Sequence, residues 1–245
     1  MNNLPNHEDF KDSLVAFIDI LGFDNKIRDI SCKDDFFEVG KLLYATKKTS
    51  DNLSRSGGIL KDYKFTAISD SIIVSVPFTD PVCTVGMLSI LHNLQYELLA
   101  TDFKTLIRGY ITKGSVYHKD GVIFGAGYSD AYKGERMIGG APRIVVDPKI
   151  VKSGRRVVDA YDGESKMVTI FDYLSEDISD GFYFIDYLKP VGSQRELPNE
   201  QLLFERESIK EFVMQSLSKY DDVHSIRPKY KWLENYFLNS AVYFK

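Results

Sequence analysis

An α+β fold with a mixed, mostly antiparallel sheet, packed helices and a helical C-terminal extension is predicted by three observations. Apolar runs of strand length alternate with stretches of helical period, two pairs of those runs are joined by tight turns, and two long amphipathic stretches close the chain.

Taken in order, residues 1–12 read as a polar, disordered lead-in. Ser13 to Ile20 (SLVAFIDI) is an apolar run broken only by Asp19, as expected of a strand buried on both faces. Leu21-Gly22-Phe23 interrupts it. Phe36, Val39, Leu43 and Thr46 recur at helical spacing, which predicts a helix over about 33–54 that stops at Ser56-Gly57-Gly58. Ile59–Ile68 and Ser71–Val76 form a hairpin about Ser69-Asp70. Pro81 suits a helix first turn, followed by a stripe of Val82, Val85, Leu88, Leu91 and Leu98. Thr105–Tyr117 and Val122–Phe124 make a second hairpin at Lys119-Asp120-Gly121. Ser129–Met137 reads as a helix and Arg143–Val146 as a strand. This order suits helices packed on one side of the sheet. Beyond about residue 150, Val157–Ala160 and Phe182–Leu188 are candidate strands. Residues 198–219, with a stripe of Leu202, Leu203, Ile209, Phe212, Val213 and Leu217, and residues 229–243 are candidate helices. No repeat or linker divides the chain, so residues 13–245 are expected as one domain with its core in 13–150.

The 245 residues include 31 basic and 35 acidic side chains, a net charge of −4. That balance argues against a dedicated nucleic-acid binder, which carries a basic surplus. Two cysteines, Cys32 and Cys83, exclude a disulfide scaffold and a four-cysteine zinc site. No apolar run approaches the roughly 18 residues that span a bilayer, and the first dozen residues lack the features of a signal peptide. A cytoplasmic location is expected. The four histidines are scattered, Gly125-Ala126-Gly127 reads as a turn, and no phosphate-binding P-loop is present. Trp232, Tyr230, Tyr236, Phe237 and Tyr243 suit a core or interface better than a platform for a base.

Two carboxylates stand out. A buried, unpaired Asp is costly, and Asp19 sits inside a strand of high hydrophobicity. Asp70 alone is ordinary turn chemistry. If the first hairpin pairs with the first strand, the two converge, and a carboxylate pair binds a hard divalent cation such as Mg²⁺ or Mn²⁺.

FIDILGF (17–23) resembles the first metal-binding segment of the class III nucleotidyl cyclases, F-x-D-[IL]-x-G-F. TAISDS (66–71) resembles their second metal-bearing hairpin, and IRGYITKGSVY (107–117) the strand that follows. The three occur in family order over residues 13–147. FGAGYSDAYKGE with APRIVVD is similar to a region of the pyrimidine cyclases of bacterial Pycsar anti-phage systems.

The resemblance implies a palm-like ferredoxin core that converts a nucleoside triphosphate into a cyclic mononucleotide, read by a separate effector protein. It implies two Mg²⁺ or Mn²⁺ ions per site on Asp19, Asp70 and the Ile20 carbonyl. The N–H groups of Leu21, Gly22 and Phe23 would face the phosphates. It also implies a head-to-tail homodimer with shared sites, in which Thr66, Ser129 and Lys133 act across the interface. Thr66 stands where a charged base-selecting residue is common, which disfavours a purine contact. The resemblance, with no residue deciding it, implies UTP as the substrate, with CTP next. Ser129 and Lys133 align with the family's N-x-x-x-R helix motif, and Arg136 competes with Lys133 for the transition-state role. Arg108 matches the strand arginine, and Lys113 is a weaker phosphate candidate. Two alternatives remain: an adenylate or guanylate cyclase with an atypical base pocket, and a non-catalytic nucleotide sensor. A diguanylate cyclase is disfavoured because the G-G-[DE]-E-F signature is absent.

Overall fold

A computed structural model describes residues 6–56, 60, 62–101, 103–154, 157–159, 166–191 and 198–244. The sequence expectations on residues 1–5, Gly57-Gly58, Ile59 and Ala160 lie outside the described residues.

The chain begins with a 3₁₀ turn at His7–Asp9 and strand β1 (Phe10–Ile20). Strand structure therefore starts inside the stretch read as a disordered lead-in, because Phe10–Asp12 pair with Tyr117–Ser115 of a later strand. Then come α1 (Phe23–Arg28), α2 (Lys33–Ser56), the hairpin of β2 (Lys64–Ile68) and β3 (Ser71–Pro77), and α3 (Val82–Ala100). The second hairpin is β4 (Ile107–Lys119) with β5 (Val122–Phe124). Its tip places Asp120 at φ 52° and Gly121 at φ 78°, both left-handed, as a two-residue hairpin turn requires. Next follow α4 (Ala126–Met137), β6 (Ile144–Val146) and α5 (Pro148–Lys152). The strands β7 (Val157–Asp159) and β8 (Lys166–Val168) form a separate ribbon. β9 (Leu174–Glu176), β10 (Tyr183–Ile185), α6 (Asn199–Lys219) and α7 (Arg227–Asn239) complete the fold.

One sheet runs β2-β3-β1-β4-β6-β10-β9, with β5 paired to β4. All its pairings are antiparallel except β4–β6, whose parallel register is bridged by α4. The fold is thus α+β with a mixed, mostly antiparallel sheet and C-terminal helices. The C-terminal segment is built into this sheet through β9 and β10.

The even-numbered residues of β1, Leu14, Ala16, Ile18 and Ile20, join the large core with Leu88, Leu91 and Leu94 of α3 and Leu42 of α2. The odd-numbered Val15 and Phe17 form a second, smaller core with Ile73, Val116 and Ala131 of α4. Helices therefore cover both faces, which corrects the one-sided arrangement read from the element order. The cause lies in β1 itself: side chains alternate across a strand, so an uninterrupted apolar run needs cover on both sides.

α4 approaches the sheet closely. A Cβ on Gly127 would stand 2.8 Å from the Gly114 carbonyl oxygen, and one on Gly114 would stand 2.9 Å from Gly127 Cα. The helix backbone rests directly on β4, which only paired glycines permit. Gly125-Ala126-Gly127, expected as a turn, opens this helix, three residues before the expected start at Ser129.

The aromatic residues of α7 are core anchors. Trp232 packs on Phe184 and Tyr236, and the Tyr236 hydroxyl donates to the buried Asp186 at 2.7 Å. On α6, Leu202, Ile209 and Val213 are buried, whereas Leu203, expected on the same stripe, is 55% exposed.

Candidate active site

β1 places Asp19 on the α4 face, one pleat beyond Phe17, opposite Ser71 of β3 and Arg108 of β4. Asp70 occupies the β2–β3 turn, and its carbonyl accepts the Ile20 N–H at 2.9 Å. That bond ties the hairpin tip to the end of β1, so the two carboxylates meet within hydrogen-bonding reach. Burial is the largest cause raising the Asp19 pKa to about 6. Arg108 opposes the shift, while the charges of Asp70 and Glu135 and the hydrogen bond with Asp70 add to it. Asp19 therefore takes up a proton more readily than an ordinary aspartate.

Arg108 lies between two acids. Its Nη2 is 3.2 Å from Asp19 Oδ2 and its Nε 2.6 Å from Glu135 Oε1. Glu135 is 3% exposed, and its pKa is raised, chiefly by burial and against the pull of Arg108. Glu135 was not among the expected site residues. A signal was present, because Gly127, Ala131, Gly134, Glu135 and Ile138 share the buried stripe of α4.

Two carboxylates that face each other call for a counter-ion, and carboxylate oxygens are the donors that Mg²⁺ and Mn²⁺ prefer. Among the described residues no cluster of three or more His, Cys, Asp or Glu side chains suited to a metal ion is present. A cation here would therefore take its other ligands from backbone, water and substrate oxygens, the usual arrangement for Mg²⁺ bound with phosphates. The donor set fits on those terms. Asp19 and Asp70 would hold the ion, with the Ile20 peptide beside them.

The turn after β1 is only partly as expected. Gly22 adopts φ 77° and caps α1, and nothing stands within 4 Å of a Cβ there, so the backbone at Gly22 opens toward solvent, whereas Phe23 is buried. The Leu21 N–H already donates to the Leu106 carbonyl at 2.9 Å. Leu21 is thereby removed from the set of phosphate donors: strand pairing extends one residue past the end of β1.

Lys113 is also not brought to the site. It pairs in register with Leu14, five residues along β4 from Arg108, and so projects from the opposite face. There it meets Asp12 at 3.1 Å and lies 3.5 Å from the Phe78 ring centroid.

Thr66 stands on β2, two strands from β1, and its hydroxyl is 2.8 Å from His118 Nε2. The Ser75 hydroxyl is 2.7 Å from the other ring nitrogen of His118. Burial first, then the charge of Lys64, lowers the His118 pKa to about 4, so the ring is neutral near pH 7. His118 and Ser75 were not anticipated.

Ser129 is half-buried in the first turn of α4, and Lys133 and Arg136 are exposed on its solvent side. The Arg136 guanidinium donates to the Tyr132 hydroxyl at 2.6 Å, one turn back. A single chain thus gathers Asp19, Asp70, Arg108 and Glu135, and leaves Thr66, Ser129, Lys133 and Arg136 elsewhere on the α4 face.

No protein-family model and no curated protein matches this chain. Solved structures do show a likeness. The adenylyl cyclase CyaB from P. aeruginosa is 17% identical with a TM-score of 0.47, covering 77% of this chain and 97% of its own. The catalytic core of a rhodopsin-guanylyl cyclase with converted specificity, in complex with ATPalphaS, is 16% identical with a TM-score of 0.47, covering 72% and 96%. An adenylate/guanylate cyclase/hydrolase from Silicibacter pomeroyi is 12% identical with a TM-score of 0.43, covering 71% and 96%.

Proposed function

We propose that this protein is a nucleotidyl cyclase that converts a pyrimidine nucleoside triphosphate, UTP ahead of CTP, into its 3′,5′-cyclic mononucleotide and pyrophosphate. The observation that carries this reading is the meeting of Asp19 and Asp70 at one end of the sheet, beside Arg108 and the open backbone at Gly22. The ribose 3′-oxygen attacks the α-phosphorus, the bond from that phosphorus to the bridging oxygen breaks, and pyrophosphate departs. Asp19 and Asp70 would hold divalent cations bound with the substrate, which would neutralise charge and acidify the 3′-hydroxyl. Arg108, held by Glu135, presents its remaining N–H groups to the triphosphate, and the Gly22–Phe23 backbone lies against the phosphates.

The preference for a pyrimidine is supported by Thr66, whose hydroxyl is held by the neutral His118 ring. That pair offers short neutral donors and acceptors in place of a charged purine contact. Incubation of the protein with each of the four NTPs and Mn²⁺, followed by mass analysis, tests the reading. Cyclic UMP as the main product is expected. A purine product overturns the base assignment, and the absence of any cyclic product overturns the enzyme. One observation favours a non-catalytic nucleotide sensor: within one chain, Ser129 and Lys133 do not reach the carboxylates. Measurable NTP binding without turnover would establish that second reading.

A homodimer resolves the same observation if the partner supplies Thr66, Ser129 and Lys133 to the metal-holding half. Mixing two inactive variants, Asp70→Ala and Lys133→Ala, is then expected to restore activity, since one of the two shared sites in a mixed dimer is intact. Failure to complement under subunit exchange rejects the shared site or the role of Lys133. The product would act as a second messenger in anti-phage defence through a separate effector protein in the cytoplasm. Among the described residues no helix is long and apolar enough to cross a membrane.

A further inference from the structure

We infer that Lys229, on the C-terminal helix α7, is a polyphosphate-binding cation of the site at Asp19 and Arg108. On α7 the residues Lys229, Trp232, Leu233, Tyr236 and Phe237 follow the i, i+3, i+4, i+7, i+8 spacing of a buried stripe. The last four behave accordingly. Leu233 is fully buried, the Trp232 indole N–H donates to Asp177 at 2.6 Å, and Tyr236 is fixed between Asp186 and the Leu188 N–H. A lysine therefore occupies a position where the pattern asks for an apolar side chain, on a helix that is held firmly in place.

Its stem lies over Gly140, between α4 and β6, where a Cβ would stand 3.4 Å from Lys229 Cε. From there the ammonium senses both partners of the carboxylate site. Burial lowers its pKa, the charge of Arg108 lowers it further, and the charge of Asp19 raises it. Among the described residues no carboxylate lies within 4 Å of this ammonium. A half-buried cation that feels the charge of an arginine and has no carboxylate within ion-pair distance among the described residues gains from an anionic ligand. Arg108 and Lys229 present two cations at the end of the sheet that carries the Asp19–Asp70 pair. The ligand that satisfies both halves is an extended anion bound together with a divalent cation, which is a metal polyphosphate. Lys229 thereby gives part of the C-terminal segment a contact with the polyphosphate.

The identity of the polyphosphate as the tail of a nucleotide rests on the cyclase reading, and the test separates the two. Calorimetric titration of the full chain with inorganic tripolyphosphate and Mg²⁺ is compared for wild type, Lys229→Met, Lys229→Arg and Lys231→Met. Lys231 lies on the exposed side of α7, paired to Glu234. Lys229→Met is expected to weaken binding about tenfold or more, the loss of one charge-assisted contact. Lys229→Arg should stay within about threefold of wild type and Lys231→Met should be unchanged. Thermal unfolding of Lys229→Met should occur no lower than wild type, which excludes misfolding as the cause. Equal binding by Lys229→Met, or no tripolyphosphate binding by the wild type, overturns the inference. Lys229-dependent binding in a protein that makes no cyclic product from any NTP leaves the inference standing and removes the cyclase reading.

Discussion

Replacing Asp19 or Asp70 by Asn is expected, on the cyclase reading, to reduce cyclic-nucleotide formation by about a thousandfold or more, because several kcal/mol of charge stabilisation would leave with a metal ligand. Stability should move differently. The Asp19 pKa of about 6 in the folded protein exceeds its ordinary value of 3.8. Between those values the folded state binds more protons than the unfolded state, so stability falls as pH rises from about 4 to about 6 and stays reduced above that. A divalent cation competes for the same oxygens. Mg²⁺ or Mn²⁺ should therefore raise the melting temperature of the wild type clearly at pH 7.5 and little at pH 5. Asp19→Asn should melt at or above the metal-free wild type at pH 7.5 and show no metal response. Thermal melts at the two pH values, with and without cation, decide the point. A metal response that persists in both Asn variants would place the cation elsewhere.

The largest effect on folding is expected at Arg143. This residue immediately precedes β6 and is 2% exposed. Its guanidinium donates to Asp177 and Asp180 in the loop between β9 and β10, and it lies 5.7 Å from the Trp232 ring centroid on α7. Burial acts to raise the Asp177 pKa. Hydrogen bonds from Ser179 and Trp232 and the charge of Arg143 outweigh it and leave the value lowered. Removing the cation leaves that half-buried carboxylate without its counter-charge. Arg143→Met is expected to destabilise the protein by about 3–5 kcal/mol, the usual cost of breaking a buried ion pair from one side. Arg143→Lys should recover only part, since an ammonium lacks the two-pronged geometry that serves both aspartates. Urea unfolding measures both. A stable Arg143→Met protein would mean that the loop repacks without the ion pair.

How far the sequence foretold this molecule depended on whether a residue's neighbours were local. Asp19 was legible because a charge inside an apolar strand is anomalous by itself, and Asp70 because its turn joins two clear strands. The hairpins and their tips followed from turn chemistry. Helices on both faces were implied by the unbroken run Leu14–Ile18, although element order suggested otherwise. The placement of Lys113 was also recoverable: five residues from Arg108 is an odd step, and odd steps change face. Leu21 differed because hydrogen-bond accounting at a strand end depends on how far the partner strand reaches. Glu135 and Lys229 were marked as polar residues on buried helical stripes. What each stripe faces is set by tertiary packing, so neither could be paired with Arg108 beforehand. His118 gave no local sign at all, since Thr66 and Ser75 reach it from other strands.

The strand β6 has three residues, all buried, held between β4 on one side and β10 on the other. A core ending near residue 150 would leave its outer edge as a bare apolar template for other chains. The motif-bearing half is thus not a transplantable cassette. Grafted alone onto another protein it would carry Asp19 and Asp70, yet lack both the strand that seals its edge and the helix that delivers Lys229. Modularity in this fold stops at the whole sheet, and a fusion or truncation that respects the motifs but not β9, β10 and α7 should yield an insoluble product.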